Sequence, residues 1–272
     1  LFAAGEAACW DMHGFNRLGG NSVAETVVAG MIVGEFIADF CESAKGDLDI
    51  PTALIREAVE VERAKLDVLL HGGGTERADA IKIEMQQTMT DRVGIFRTGA
   101  DLEEAVHRLQ ALLVRSRRIG LRYKVDGPNP ELVTAYRTQK MLKVALCVAA
   151  GALARTESRG AHFREDFPRR DDTTWLKRTL ATWRDPSDTL PRLAYEPLDV
   201  MTMELPPGWR GYGAKNYVDH PDTAVRAAEV AKLREGLASA DRHAVQAALM
   251  PYEHLLPERF RGRNERIDEK LP

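Results

Sequence analysis

Apolar and polar positions change period several times along this chain, and each change marks an element. Leu1 to Ala4 is a short apolar run stopped at Gly5-Glu6, which predicts a buried strand. A glycine-rich stretch, DMHGFNRLGGNS over Asp11–Ser22, leads into an apolar, small-residue segment from Val23 to Cys41. That segment predicts a helix buried on most sides, with Ser22 at the N-cap, where its hydroxyl would take up a free backbone N–H. Polar residues with Gly and Asp from Lys45 to Pro51 break the pattern and predict a domain boundary.

From Pro51 to Arg155 the period is helical throughout. Helices are expected at Pro51–Leu70, Arg77–Thr90, Asp101–Ser116 and Pro130–Ala154. Short Gly/Pro/Asp punctuation separates them, as in antiparallel helices packed as a bundle. The segment RTESRGAHFREDFPRRDD, Arg155–Asp172, is charged and irregular. Trp175–Trp183 has the spacing of a short helix, and PRLAYEPLDVMTMEL predicts two short strands turning near Glu196-Pro197. PPGWRGYGAKN has loop chemistry; helical spacing returns at Thr223–Leu237 and near Arg242–Leu249, before a charged terminus. The fold class expected is mainly α: a short α/β remnant over 1–46, a helical bundle domain over 47–172, and a small α+β C-terminal domain over 173–272.

Composition narrows the function classes. At 272 residues and 44% hydrophobic the chain can bury real cores, and its net charge of −3 makes no case for nucleic acid or acidic lipid. The basic runs Arg115–Arg118 and Arg259–Arg266 read as solvated helix ends or tail. Three cysteines, Cys9, Cys41 and Cys147, are widely spaced without a C-x-x-C, which argues for reduced cytosolic thiols and against a disulfide framework or metal site. Neither Ala24–Phe40 nor Met141–Leu153 offers the roughly 20 clean apolar residues of a membrane span, and no signal peptide is present. The opening LFAAGE, without methionine, reads like the middle of a strand and suggests a fragment whose upstream part is missing.

Several candidate sites dissolve on inspection. HGGG at His71–Gly74 follows a helix rather than a strand and has no Gly-Lys-Ser/Thr after it, so it reads as a helix-ending turn. The seven histidines make no H-x-x-x-H pair, and Ser22 and Ser158 lack a G-x-S-x-G setting. In the charged segment, Glu157, Arg159, Arg164 and Asp166 either lock together or clamp a partner surface, because unpaired charges would be costly if buried.

Asp11–Ser22 carries more chemistry. Gly19 and Gly20 allow close backbone approach, and the helix that follows points unpaired N–H groups and its positive dipole end at the same spot. Arg17 adds a planar fork that matches a carboxylate, and Glu6 suits acceptance of ribose or ribityl hydroxyl protons. Strand, acidic residue, Gly-rich turn and helix N-terminus together are how a nucleotide-type cofactor is commonly held.

LFAAGEAACWDMHGFNRLGGNSVAETVVAG resembles the last FAD-binding segment of the flavoprotein subunits of succinate dehydrogenases and fumarate reductases. TESRGAHFREDFPRRDDTTWLKRTLATW, LPRLAYEPLDV, RGYGAK, DRHAVQAALMPYE and RNER extend the likeness over essentially the whole chain. The tail beyond RGYGAK is most similar to quinol:fumarate reductases. The resemblance makes 1–46 the C-terminal segment of an FAD-binding domain. It implies that Glu6, Ser22 and Val23 bind FAD, with Val23 where the family usually has leucine, and that His13 helps shape the pocket. It implies that Arg17 grips a carboxylate of a dicarboxylate substrate, with Gly20 close by. The dinucleotide fingerprint, the covalent flavin-linking histidine, the capping domain and the general-acid arginine are expected upstream of Leu1, so no catalytic acid and no metal site are assigned to this chain.

The implied reaction is hydride transfer from reduced FAD to fumarate. Electrons would come from quinol through an iron–sulfur subunit and a membrane anchor, the flavoprotein being cytoplasmic and peripheral on the membrane. The reverse reaction, succinate oxidation, and a non-catalytic helical subunit-interaction module are the alternatives; the long tail disfavours L-aspartate oxidase.

Overall fold

In the computed structural model, residues 2–8, 17, 19–44, 51–125, 127–198 and 223–255 are described. The chain divides into two compact units: Leu1–Leu48 with Asp199–Pro272, and Asp49–Leu198.

In the first unit a single 3-10 turn, Gly5–Ala7, lies against helix α1, Asn21–Ser43. Phe2 packs edge-to-face on Phe40, and buried Gly5 sits against Thr26. Of the strand expected at Leu1–Ala4, the described residues Phe2–Ala4 carry no strand pairing among the described residues; an extended segment becomes a strand only where a neighbour completes its hydrogen bonds. The helix forms as its apolar run predicts, but it begins two residues earlier, so Gly20 and not Ser22 is its N-cap. Nor is it buried on most sides; among its residues only Glu25 and Ala29 are buried. Within the same unit, α7 (Thr223–Leu237) and α8 (Arg242–Leu249) form a helical pair, with Asp241 capping α8 through the His243 N–H. The calls at Met201–Leu205, RGYGAK and Arg259–Arg266 lie outside the described residues.

The second unit holds the main core. Helices α2 (Thr52–His71), α3 (Ala78–Arg92), α4 (Gly99–Ser116) and α5 (Pro130–Ala154) pack as a bundle. Helix α4 buries Leu102, Val106, Leu109 and Leu113 at helical spacing against Ala135, Leu142, Leu146 and Ala149 of α5, with Ile81 of α3 fully enclosed. Each enclosed leucine or isoleucine contributes about 1.5–3 kcal/mol of transfer free energy. Caps fix the ends: Thr98 accepts from the Asp101 N–H, and Asn129 from the Leu132 N–H with Pro130 beginning α5. The Arg115–Arg118 run is partly consumed by ion pairs: Arg115 holds Glu76 and Glu84, and Arg118 holds Glu76.

HGGG ends α2, with Gly72 as its C-cap. Its last glycine meets a second chain segment: Glu76 and Ile119 form a parallel bridge in which the Glu76 N–H donates to Arg118 O (2.9 Å) and the Gly120 N–H to Glu76 O (3.0 Å). A Cβ on Gly120 would stand 1.9 Å from the Gly74 carbonyl oxygen, so the backbones touch there and only glycine fits.

Two short sheets complete the unit. Strand β1 (Phe96–Arg97) pairs in parallel with β2 (Phe163–Arg164), tying the charged segment to the α3–α4 connection. Strands β3 (Lys177–Thr182) and β4 (Arg192–Pro197) form an antiparallel hairpin, in register Lys177↔Pro197 to Thr182↔Arg192. This corrects the expected helix at Trp175–Trp183. Only Asp172–Trp175 is helical (α6), and the alternation of Lys177, Thr179 and Ala181 with Arg178, Leu180 and Thr182 serves a strand. PRLAYEPLDV supplies one strand, not a turn at Glu196-Pro197, because its partner is β3. The hairpin belongs to the same compact unit as the helices.

Candidate functional site

The helix N-terminus at Asn21 is where the glycine-rich stretch meets α1. Gly20 caps α1 at φ 82°, a left-handed conformation that side chains resist, and makes no side-chain capping bond. The Ala24 N–H is the first to close a helical bond, onto Gly20 O, while the Ser22 carbonyl accepts from Thr26 Oγ1 (2.7 Å). Gly20 thus supplies no side-chain cap to the N–H groups of the first turn, and the dipole end is positive. Among the described residues, a Cβ at Gly19 or Gly20 would meet nothing within 4 Å.

The placement of the sequence-predicted residues follows from this helix. Ser22 is half-buried in the first turn, and Val23 beside it is 69% exposed. Arg17 and Gly20 are exposed, and Glu6 is exposed on the 3-10 turn that packs on α1 through Gly5. The structure thus brings Glu6, Ser22 and Val23 onto one α1-centred substructure. His13 lies outside the described residues. An open dipole end, a backbone without obstructing Cβ atoms and an exposed carboxylate on the adjoining turn fit the hydroxyl-rich chain and electron-rich ring edge of FAD.

The charged segment that runs from the end of α5 to the start of α6 is a closed network. Glu157 is fully buried; its oxygens accept from Arg155 Nη1 (2.6 Å), Arg159 Nε (2.8 Å), Arg159 Nη2 (3.0 Å) and the Asp171 N–H (2.8 Å). Arg159 also donates to Asp172 Oδ1 (2.6 Å). Arg164, 2% exposed, donates twice to Asp166 at 2.7 Å and through Nη1 to the carbonyls of Ala152, Leu153 and Arg155 at 3.0–3.3 Å. Asp166 in turn accepts from the Gly99 N–H at 3.0 Å. One ion pair therefore caps the C-terminal carbonyls of α5 and the N-terminus of α4 at once, each charge on the favourable dipole end. The Arg164 hydrogen bond holds the Asp166 pKa down at about 2.

Of the two readings of this segment, the locked one is what its geometry displays. The sequence reading missed Arg97, Arg155 and His162. Arg97 Nη1 meets His162 Nδ1 at 2.8 Å, and His162 Nε2 meets Arg155 O at 3.1 Å, which suits a neutral ring carrying its proton on Nε2. Burial, together with the charges of Arg97, Arg155 and Arg164, draws the His162 pKa below its ordinary value. No local signal marked Arg97, because its partner is 65 positions away.

Comparison with known proteins identifies the family. The family described as "Fumarate reductase flavoprotein C-term" matches residues 82–212, and "FAD binding domain" matches residues 1–23, ending in the first turn of α1. A fumarate reductase flavoprotein subunit of Helicobacter pylori is 50% identical over 99% of this chain and 38% of its own length. The mitochondrial succinate dehydrogenase flavoprotein subunit of rice is 35% identical over 78% of this chain and 33% of its own. Among solved structures, an Escherichia coli quinol fumarate reductase superposes with a TM-score of 0.63 at 35% identity, covering 79% of this chain and 36% of that one. The chain thus spans little more than a third of the relatives it matches. It belongs to the fumarate reductase and succinate dehydrogenase flavoprotein family, FAD-dependent oxidoreductases, and corresponds to their C-terminal part.

Proposed function

We propose that this chain is the C-terminal part of a fumarate reductase flavoprotein that reduces fumarate to succinate. The observation that carries the reading is the open N-terminus of α1, which lies next to Arg17 in sequence and at the end of the matched FAD-binding segment.

FAD, when bound, supplies the hydride chemistry. Glu6 would accept hydroxyl protons of the cofactor's polyol chain, Ser22 and the Val23 backbone would hold its ring, and His13 would help shape the pocket. The dipole of α1 favours negative charge on the ring and so favours its reduced form. Arg17 takes one carboxylate of the dicarboxylate, with Gly20 leaving room beside it. A bidentate guanidinium fixes the substrate's orientation as well as its charge, which is how a binding group raises the rate of a step it does not perform. The proton-donating group belongs to residues outside this chain.

The similar solved structures include quinol fumarate reductases and a Mycobacterium smegmatis Sdh1 complex. They support partner subunits in general; in the proposed reading these are an iron–sulfur subunit that would deliver electrons from quinol and a membrane anchor that would hold the flavoprotein on the cytoplasmic face. Among the described residues no helix is long and apolar enough to cross a membrane, which suits a peripheral subunit. The rice succinate dehydrogenase match supports the same site working in the oxidative direction.

The test is Arg17→Ala in the full-length flavoprotein. Fumarate turnover falls by two orders of magnitude or so while flavin content stays at the parent level, as expected for loss of a charge-assisted carboxylate contact. Retained turnover would overturn the assignment of Arg17, and loss of flavin with turnover would reassign it to cofactor binding.

A further inference from the structure

A feature that the proposed reaction does not use lies within the Asp49–Leu198 unit. A cavity of about 590 Å³ opens between α2, α5, the C-terminal end of α4 and the segment after β3. That volume falls among those of small-ligand pockets, about 300–1,000 Å³. Its floor is apolar: Leu69, Leu113, Ile119 and Ala135 are all buried. One wall is a single stripe of α5, in which Tyr136, Gln139, Lys140 and Lys143 recur at helical spacing. Trp183, Arg184 and Asp185 line the other side.

The charge in this cavity is unbalanced. Its lining carries five cations, Lys65, Arg117, Lys140, Lys143 and Arg184, against Asp185. Glu62 adds a second carboxylate, bonded to Lys65 at 2.7 Å and to the Tyr136 hydroxyl, with Lys140 Nζ 3.8 Å from it and donating to the same hydroxyl at 2.6 Å. Five positive groups therefore face two negative ones, and like charges gathered around a concave, partly desolvated surface raise the local potential for an anion. Two of the cations stand on aromatic rings: Lys143 Nζ lies 4.7 Å from the Trp183 centroid and Lys140 Nζ 3.9 Å from that of Tyr136. The indole N–H of Trp183 is spent on Cys147 Sγ (3.3 Å), which fixes the ring without using its face. Arg117 donates to Ser187 O (2.6 Å) and tethers the far wall to α4.

We infer that this cavity binds a small anion carried on a flat apolar ring, a phosphate or carboxylate ester or acid of an aromatic. The ring packs on the apolar floor beside Trp183, and the anion draws the ammonium groups of Lys140 and Lys143 toward it. The site is distinct from the dicarboxylate site at Arg17: its charge comes from several flexible lysines and an aromatic wall, not from one guanidinium at a helix end.

The experiment is calorimetric titration of the full-length flavoprotein, with FAD bound, using 2-naphthyl phosphate, 2-naphthoate, inorganic phosphate and 2-naphthol. At least one naphthyl anion binds saturably and more tightly than either phosphate or naphthol, and excess fumarate does not displace it. Lys143→Met keeps the apolar stem and removes the charge; it weakens binding by about tenfold. Trp183→Leu weakens it as well, and Lys140→Met, at the more exposed edge, provides an independent variant should Trp183→Leu fold poorly. Binding of naphthol as tight as that of both naphthyl anions, displacement by fumarate, insensitivity to both lysine substitutions, or no saturable binding of either anion would overturn the inference.

Discussion

Replacing Arg164 by methionine removes the guanidinium that closes the charged segment and keeps an apolar stem of similar length. The loss can be worked from its partners. Two hydrogen bonds of 2.7 Å to Asp166 disappear, as do those to the carbonyls of Ala152, Leu153 and Arg155 at the end of α5. Asp166 keeps only the Gly99 N–H of those partners, and the terminal carbonyls of a 25-residue helix lose a buried charged cap. Breaking a buried pair from one side costs about 3–5 kcal/mol. For a unit of this size each kcal/mol lowers the melting temperature by about 2–4 °C, so a drop of about 10 °C is expected. The assay is thermal melting followed by far-UV circular dichroism, with Glu196→Ala as control. Glu196 belongs to an exposed pair with Arg178 (3.0 Å), for which a loss below about 1 kcal/mol is expected. If the two variants melt together, Arg164 is not the bolt described.

Other consequences can be checked alongside. His162 has a depressed folded pKa, so the unfolded chain binds its proton first; the stability it contributes is full above the ordinary histidine value of 6.5 and is lost as pH falls below it. Urea unfolding at pH 7 and pH 5 should show that decline, and His162→Asn should flatten it; an unchanged slope would contradict the placement of the ring. Asp166, held at about 2 against 3.8 unfolded, contributes stability above pH 4 or so that is lost as pH falls toward 2, and Asp166→Asn should blunt acid unfolding in that window. Gly120→Ala forces a Cβ to within 1.9 Å of the Gly74 oxygen and should cost about 1–3 kcal/mol or more in chemical denaturation, whereas Gly73→Ala, with nothing within 4 Å, should leave the midpoint nearly unmoved. The isolated 272-residue chain should show no fumarate reduction with a reduced dye, since it spans 38% of the Helicobacter pylori relative; turnover above background would place the whole pocket within it.

How much was legible in the residues depended on where the deciding partner lay. Helix α5 was readable to its ends because Asn129, Pro130 and the apolar period are all local. The charges of Glu157, Arg159, Arg164 and Asp166 announced either a lock or a partner clamp, since buried charge must be paired, and the lock that formed has partners mostly within fifteen positions. The anchor on Gly99 and the contact from Arg97 were not legible, because β1–β2 pairing joins segments 67 positions apart and two-residue strands leave no period to read. Lys177–Thr182 was misread as helix for a related reason: its strand identity comes from Arg192–Pro197, which it meets only after a turn. Burial of α1 was overestimated because apolar composition states what a helix can bury, while the neighbours decide what it does bury. The Gly-rich stretch was recognisable by chemistry and likeness, yet the N-cap moved to Gly20 because a left-handed residue, not a hydroxyl, turns the chain into α1.

The central claim is that Arg17 holds a dicarboxylate beside FAD at the open end of α1. It is tested most directly by titrating the full-length flavoprotein with malonate while recording the absorbance of its bound flavin. The account predicts a saturable spectral change in the parent protein. In Arg17→Gln, with flavin content and resting spectrum unchanged, it predicts a dissociation constant raised by about tenfold to a hundredfold. An identical titration curve in the two proteins would contradict it.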